Sequence, residues 1–479
     1  MQILAIDQGT TNTKALVFDA HGATLAASSV AMETHYPQAG WAEQDAMAIW
    51  TATQRVIADV SAKVDRIDAI GISNQRETLV VWDGETGTPV GPAPIWQCRR
   101  TSEVCATLQH HADEVHRLTG LGINPLFPAS KLAWILAHRP EAARLHALGR
   151  LRAGTVDAWL IWKLTDGAAF VTDHSNASRS LLFDTRALQW SPRLCDIFEV
   201  PMSCLPTPLA SDAEFGRVAP GTTALAKGTP ILAVMGDSHA ALYGHGIRQA
   251  GTVKATYGTG SSLMMPLPER ALPSNGLSST IAWTAQDKTT YALEGNITVS
   301  AQTAAFAVDM LGLDDPEALT ALAQTVPDTC GVALVPAFAG LGAPYWDDAA
   351  RGLISGMSLA TTRGHIARAA LEAIAHQIAD VFEAMADASA VPLHTLRADG
   401  GASVNDWLMG RQADFLNATV TRSDLAEVGA LGVAMMAARV LGGEIHLPLE
   451  VDNFRPTITA QERRVQRQVF ADAVRRARA

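Results

Sequence analysis

Apolar residues in this chain come in short runs, separated by polar turns rich in chemistry. Ile3-Leu4-Ala5-Ile6 leads to Asp7, and Ala15-Leu16-Val17-Phe18 leads to Asp19. Runs of this length predict β-strands. The glycine-containing stretch Gln8-Gly9-Thr10-Thr11-Asn12-Thr13-Lys14 between them predicts a hairpin turn. The plan then recurs: Thr252–Thr256, the turn Tyr257-Gly258-Thr259-Gly260-Ser261-Ser262, and Leu263-Met264-Met265. Short-period repeats are absent, so this reads as a twofold duplication and not a solenoid. The expected domains are 1–246 and 247–479.

Further strands are expected at Ile67–Ile72, Leu79–Trp82 and Pro230–Met235, then at Thr280–Trp283, Thr290–Leu293 and Leu396–Asp399. A helix is expected from about Asp45, where Met47, Ile49, Trp50 and Val56 recur at helical spacing. Others are expected at Lys131–His138, Asp157–Leu164, Ala240–Tyr243, Val299–Leu311, His365–Ala386 and Asn405–Leu416. The class is α/β. Trp134, Trp159 and Trp162 sit on two of these helices, and core packing is their expected role.

Several turns carry more than structure needs. Gly9 allows close approach of backbone N–H groups to an anion, and Thr10 and Thr11 add hydroxyl donors. Asp7, at a strand end, is placed to face a metal ion or its waters. The plainer alternative is a polar hairpin tip whose acid bonds its own backbone. Ser73-Asn74-Gln75-Arg76-Glu77 is a dense polar cluster between two strands, suited to holding a polar ligand. Asp237 falls where a strand ends and a helix begins, the ligand edge of an α/β sheet. By position alone, a helix N-cap explains it as well or better. Gly400 and Gly401 leave helix N–H groups free for a ligand. Two such halves face to face would grip one nucleotide from both walls of a cleft.

Composition narrows the classes. At 48% hydrophobic and 18% charged, the chain is an ordinary globular protein. A net charge of -11 argues against a nucleic-acid binder. Cys98, Cys105, Cys195, Cys204 and Cys330 contain no C-x-x-C pair, so neither a disulfide framework nor a zinc site is expected, and a reducing compartment fits. No basic segment precedes the first apolar run, so no signal peptide is expected. Gly429–Leu441 is too short to span a bilayer and contains Arg439. A cytoplasmic protein without membrane contact is expected.

The ordered motifs resemble the FGGY carbohydrate kinases, and within them the glycerol kinases. They are Asp7-Gln-Gly-Thr-Thr, Gly40-Trp-Ala-Glu-Gln-Asp45, Ser73-Asn-Gln-Arg-Glu-Thr78, Trp96-Gln-Cys-Arg-Arg-Thr101 and Gly154-Thr-Val-Asp-Ala-Trp-Leu-Ile-Trp-Lys163. They continue with Gly236-Asp237, Tyr257-Gly-Thr-Gly260, Tyr291-Ala-Leu-Glu-Gly295, Gly340-Leu-Gly-Ala-Pro-Tyr-Trp-Asp347 and Asp399-Gly-Gly-Ala402. The resemblance covers nearly the whole chain. It implies two duplicated actin-like (ribonuclease-H-like) domains with a cleft between them, the acceptor bound in the first and ATP between the two. It also implies ATP-dependent phosphorylation of a terminal hydroxyl of a small polyol or sugar, with Mg²⁺; a homodimer is compatible with it.

By that resemblance Asp237 is the general base and, with Asp7, lies at the metal. Thr10, Thr11, Asn12 and Lys14 face the phosphates, as do Thr259 and Gly260 from the second half. Lys14 stands where arginine is frequent, a point charge without the planar fork. Gly400, Gly401, Ala402 and Asn405 fall on the adenosine side. Arg76 and Glu77 grip acceptor hydroxyls with paired donors and acceptors, and Trp96 walls the carbon chain.

Three positions depart from the glycerol kinase pattern: Leu126 replaces a tyrosine, Ser238 a glutamine and Ser262 an aromatic. The expected consequence is a roomier pocket for a four- or five-carbon polyol or ketose. Xylulose kinases usually carry Met-His near Gln75-Arg76-Glu77, so xylulose is not favoured. Ala301, Gln302 and Ala305 also depart, on the nucleotide side. Two other classes compete. Gly236-Asp237-Ser238-His239 resembles the start of Gly-Asp-Ser esterases, although adjacent Ser and His side chains diverge. A non-enzymatic actin-like ATPase would have no use for Arg76, Glu77 and Trp96.

Overall fold

The computed structural model describes residues 1–273, 276–423, 427–445 and 451–479. Along the first half come β1 (Gln2–Gln8), β2 (Asn12–Asp19), β3 (Thr24–Ala31), α1 (Ala46–Ser61), β4 (Ala69–Asn74), β5 (Leu79–Asp83) and α2 (Pro128–His138). They are followed by β6 (Leu151–Thr155), α3 (Val156–Leu164), β7 (Pro230–Gly236) and α4 (Asp237–Gly244). The second half contains β8 (Thr252–Tyr257), β9 (Ser261–Leu267), β10 (Lys288–Ile297), α5 (Gln302–Leu311), α6 (Arg363–Ser389) and β11 (Thr395–Asp399). It closes with α7 (Asp406–Leu416), β12 (Thr419–Ser423), α8 (Val428–Val440) and α9 (Ala460–Ala477).

Contacts divide the chain into two units. One holds Met1–Gly246, Ser279–Tyr291 and Ala426–Pro448; the other holds Ile247–Ser278, Ala292–Leu425 and Leu449–Ala479. The chain therefore returns twice to the first unit after residue 246, and α8 belongs to that unit. Their sheets repeat one topology. In the first, β3–β2–β1–β4–β7 lie side by side, with β1–β2 antiparallel and β1–β4 and β4–β7 parallel. In the second, the order is β10–β9–β8–β11–β12, with β8–β9 antiparallel and β8–β11 and β11–β12 parallel.

Local sequence explains most boundaries. Asp45 caps α1 by accepting from Met47 N at 2.7 Å. All six residues of β4 are buried, as its unbroken apolar start requires. Trp159 and Trp162 lie in the first unit's core beside Trp82, and the Trp159 indole N–H donates to Ala46 O at 3.0 Å. The first turn is shorter than expected: Asn12 and Lys14 are already on β2, leaving Gly9–Thr11 as the turn. The helix expected from Val299 starts only at Gln302, because Ser300 N and Ala301 N donate to Thr259 O and Gly258 O. β3, rich in Ala and Ser, and the polar α9 carry weak apolar patterns and were not expected. Among the described residues no helix is long and apolar enough to cross a membrane.

Candidate active site

Parallel register brings three strand ends together. Asp7 of β1 lies opposite Ser73 of β4, and Met235 and Gly236 of β7 lie opposite Ser73 and Asn74. Asp7, Ser73 and Asp237 therefore arrive at one sheet edge, although 230 residues separate the first from the last. Ser73 Oγ donates to Asp7 Oδ1 at 2.7 Å. Burial pushes the Asp7 carboxyl up to about 6, with the charges of Asp237 and Glu427 adding to the rise and Ser73 and Lys14 opposing it.

Two helices begin at the same place. α4 starts with Asp237, whose Oδ1 lies 3.2 Å from Arg76 Nε and accepts from Ser238 N at 2.6 Å. Gly236, not Asp237, occupies the N-cap position, so the capping explanation fails. Arg76 is 9% exposed and Asp237 44%. A side chain at 236 would come within 2.6 Å of Arg76 Cγ, so this approach needs glycine. The start of α8 also reaches the site: a Cβ on Gly429 would lie 3.9 Å from Asp7 Oδ1 and 3.6 Å from Asp237 O. α4 and α8 touch backbone to backbone, since a Cβ on Gly432 would fall 1.9 Å from Ala240 O. Two helix N-termini, each carrying a partial positive charge, converge beside Asp7 and Asp237.

The hairpin turn is held from behind. Gly9 N donates to Asn12 O at 2.9 Å, and Gln44 Nε2 donates to Thr10 O at 2.7 Å. Trp96, 37% exposed, donates its indole N–H to Thr10 Oγ1 at 2.9 Å, tying it to the hairpin turn. Thr11 is exposed, and its hydroxyl accepts from Asn12 Nδ2. Lys14 is not waiting for a ligand: Glu427 holds its ammonium with both oxygens, at 2.6 and 2.7 Å. Glu427 has a left-handed backbone, φ 60°, just before α8.

Glu77, just after β4, is also left-handed, φ 59°. Its Oε1 accepts from Arg179 Nε at 2.6 Å, with both side chains buried. The Leu126 side chain packs against the apolar cluster of Leu79, Val81 and Phe127. Ser238 is partly exposed next to Asp237. His239 is buried, with Nε2 3.3 Å from Thr280 Oγ1, an arrangement that does not support a Ser–His esterase pair.

Arg179, Lys131 and Glu427 were not anticipated. Arg179 follows, three residues on, a wholly buried polar run, Asp173-His174-Ser175-Asn176, that the density criterion applied to Ser73–Glu77 would have flagged. Within that run Ser175 Oγ accepts from Gly236 N at 3.0 Å, and Asn176 and Asn74 exchange amide hydrogen bonds. The run therefore braces the strand ends beside Asp237.

In the second unit, Gly258 N donates to Gly260 O at 3.0 Å and Thr259 is exposed at the tip. Ser262 lies on β9 with its Oγ buried and unpaired. Gly400 has φ 90°, and a Cβ there would meet Tyr257 O at 2.6 Å. Gly401 faces open space and Ala402 is partly exposed. Asn405 is engaged: it caps α7 through Leu408 N at 3.0 Å and donates to Thr320 Oγ1 at 2.8 Å. Its side chain is thus committed to the fold.

Residues 2–244 match the N-terminal domain of the FGGY family of carbohydrate kinases, and residues 253–441 match the C-terminal domain. The chain is 46% identical over 487 residues to an apulose kinase of Pectobacterium atrosepticum, covering 99% of this chain and 98% of that one. It is 43% identical over 490 residues to a glycerol kinase of Symbiobacterium thermophilum, covering 99% and 98%. Plasmodium falciparum glycerol kinase, solved with ADP, is similar in structure with a TM-score of 0.93 at 31% identity, covering 99% of this chain and 98% of that one.

Proposed function

The chain belongs to the FGGY family of carbohydrate kinases, ATP-using phosphotransferases with an alcohol acceptor, and we propose that its preferred acceptor is a polyol or ketose of four or five carbons. The observation that carries this reading is the ion pair of Arg76 and Asp237 beside a Glu77 braced by Arg179, with an apolar Leu126 in place of a phenol. The polar end suits a terminal CH₂OH and its neighbouring hydroxyl. Ser238 leaves more room than a glutamine would.

Arg76 donates to one hydroxyl of the acceptor and Glu77 accepts from another. Asp237, beside Arg76 at 3.2 Å, takes the proton of the attacking hydroxyl. As that oxygen forms its bond to the γ-phosphorus, the bond from phosphorus to the β,γ-bridging oxygen breaks and ADP leaves. In the first unit, Thr10 and Thr11 are assigned to the phosphates, with Lys14 free to join them only when Glu427 releases it. Positioning and charge compensation dominate such a transfer. The residues present also fit Mg²⁺: the Asp7 carboxyl is raised chiefly by burial, and the charges of Asp237 and Glu427 beside it add negative charge that a divalent cation would relieve. Among the described residues no cluster of three or more acidic, His or Cys side chains could hold a metal. Asp7 and Asp237 would therefore hold the ion jointly with phosphate oxygens and water. When bound, it would neutralise charge on the transferring phosphoryl group.

ADP release from ATP–Mg²⁺ with a panel of three- to six-carbon polyols and ketoses, glycerol and apulose included, tests the reading. A four- or five-carbon acceptor should give the highest kcat/KM. Glycerol exceeding every longer acceptor would make this a glycerol kinase and overturn the size argument. ADP release that ignores every acceptor would remove the acceptor site itself.

A further inference from the structure

Lys131 lies on α2 and is 0% exposed. Its Nζ donates to Leu126 O at 2.7 Å and to Glu77 O at 3.3 Å. These carbonyls belong to separate segments, one just after β4 and one just before α2. Both segments carry a residue of the acceptor pocket. Glu77 is held in a left-handed backbone that non-glycine residues rarely adopt, and the ammonium bonds the carbonyl of that same residue. The side chain of Glu77 is fixed from its other end by Arg179. A buried ammonium is costly to desolvate, and an apolar side chain of similar volume is often better for stability alone. That cost points to a role other than stability. Burial moves the Lys131 ammonium down to about 7; Cys98, Glu77 and Cys105 oppose the shift and Arg100 adds to it.

We propose that Lys131 is a positioning residue of the acceptor pocket: by clamping the carbonyls of Glu77 and Leu126 it sets the distance between the acceptor-gripping carboxylate and the apolar wall, and so selects acceptor size. The inference rests on the acceptor site proposed above. The clamp acts on binding, so it predicts a split between kinetic constants that a merely structural residue would not produce.

The test is Lys131→Met, assayed with the wild type's best acceptor, with glycerol and with varied ATP. The acceptor KM should rise tenfold or more, while kcat at saturating acceptor and the KM for ATP stay within about threefold. The preference for the best acceptor over glycerol should shrink by a similar factor. Lys131→Gln, which keeps an N–H donor in less volume, should fall between the two and covers the case in which the methionine variant does not fold. Unchanged acceptor KM and selectivity would overturn the proposal. So would a loss shared equally by acceptor, ATP and kcat with a lowered Tm. Because selectivity is read against the wild type's own best acceptor, failure of the clamp is distinct from failure of the site, which the wild-type panel reports.

Discussion

Replacing Asp237 by asparagine removes a proton acceptor without changing its shape. The amide oxygen can still accept from Ser238 N, now at 2.6 Å from Oδ1, and the side chain still starts α4. Two structural costs follow. The pair with Arg76, 3.2 Å apart and 44% exposed on the Asp237 side, is worth about 1 kcal/mol after solvent screening. Loss of an acid from the first turn of a helix costs roughly 0.5 kcal/mol more. Neither cost unfolds a domain held by a core of this size. Loss of a general base costs about two to four decades in rate, which is roughly 3–5 kcal/mol on the barrier. The rate effect should therefore exceed the stability effect severalfold. Single-turnover ADP formation with saturating acceptor measures the first, thermal unfolding the second, and calorimetric titration with ATP the binding. The expectation is kcat down by about two to four decades, a small fall in Tm and ATP affinity nearly unchanged. If kcat falls less than about tenfold, or ATP affinity falls as far as kcat, Asp237 is not the base.

Asp157, fully buried and accepting from Thr155 and Thr172, has its carboxyl raised from 3.8 to about 6, chiefly by burial. A raised acid stabilises the fold below its unfolded pKa and loses that contribution as pH rises through the folded one. Asp157→Asn should therefore gain about 2 kcal/mol relative to wild type between pH 4 and pH 7 in urea unfolding; a difference independent of pH would contradict this. Gly432→Ala forces a Cβ to within 1.9 Å of Ala240 O, and should cost about 3 kcal/mol and most activity. Gly410→Ala, in open space on α7, should instead stabilise by about 0.5–1 kcal/mol, and equal Tm shifts would show that the packing at Gly432 is looser than described. Glu427→Gln loosens the hold on Lys14, an ion pair worth about 0.5–1 kcal/mol. The KM for ATP should then fall roughly two- to fivefold, and a rise would mean that Glu427 presents Lys14 to the phosphates.

What the sequence by itself determined is local. Apolar runs bounded by Asp7 and Asp19 give β1 and β2, because strand formation and turn chemistry depend on neighbours a few residues away. The recurrence of that plan at β8 and β9 revealed the duplication, and both sheets have the same strand order. Asp7, Arg76 and Asp237 stood out in the sequence because each lies near a strand end or follows one closely. Only the tertiary structure decided their partners. Lys14 and Glu427 are 413 residues apart, and Arg179 and Glu77 are 102 apart. Nothing in the local pattern around Glu427 distinguishes an ordinary charged residue from one that holds a site, and only the dense polar run before Arg179 hints at its role. Lys131 reads in sequence as the polar start of an amphipathic helix, yet it is buried against two backbone carbonyls. Asn405 reads as a nucleotide contact and in the fold caps a helix. The physical reason is common to all of these. A strand is selected by the periodicity of its own residues, whereas the role of a charged side chain is set by whatever opposite charge or carbonyl the long-range strand pairing brings beside it.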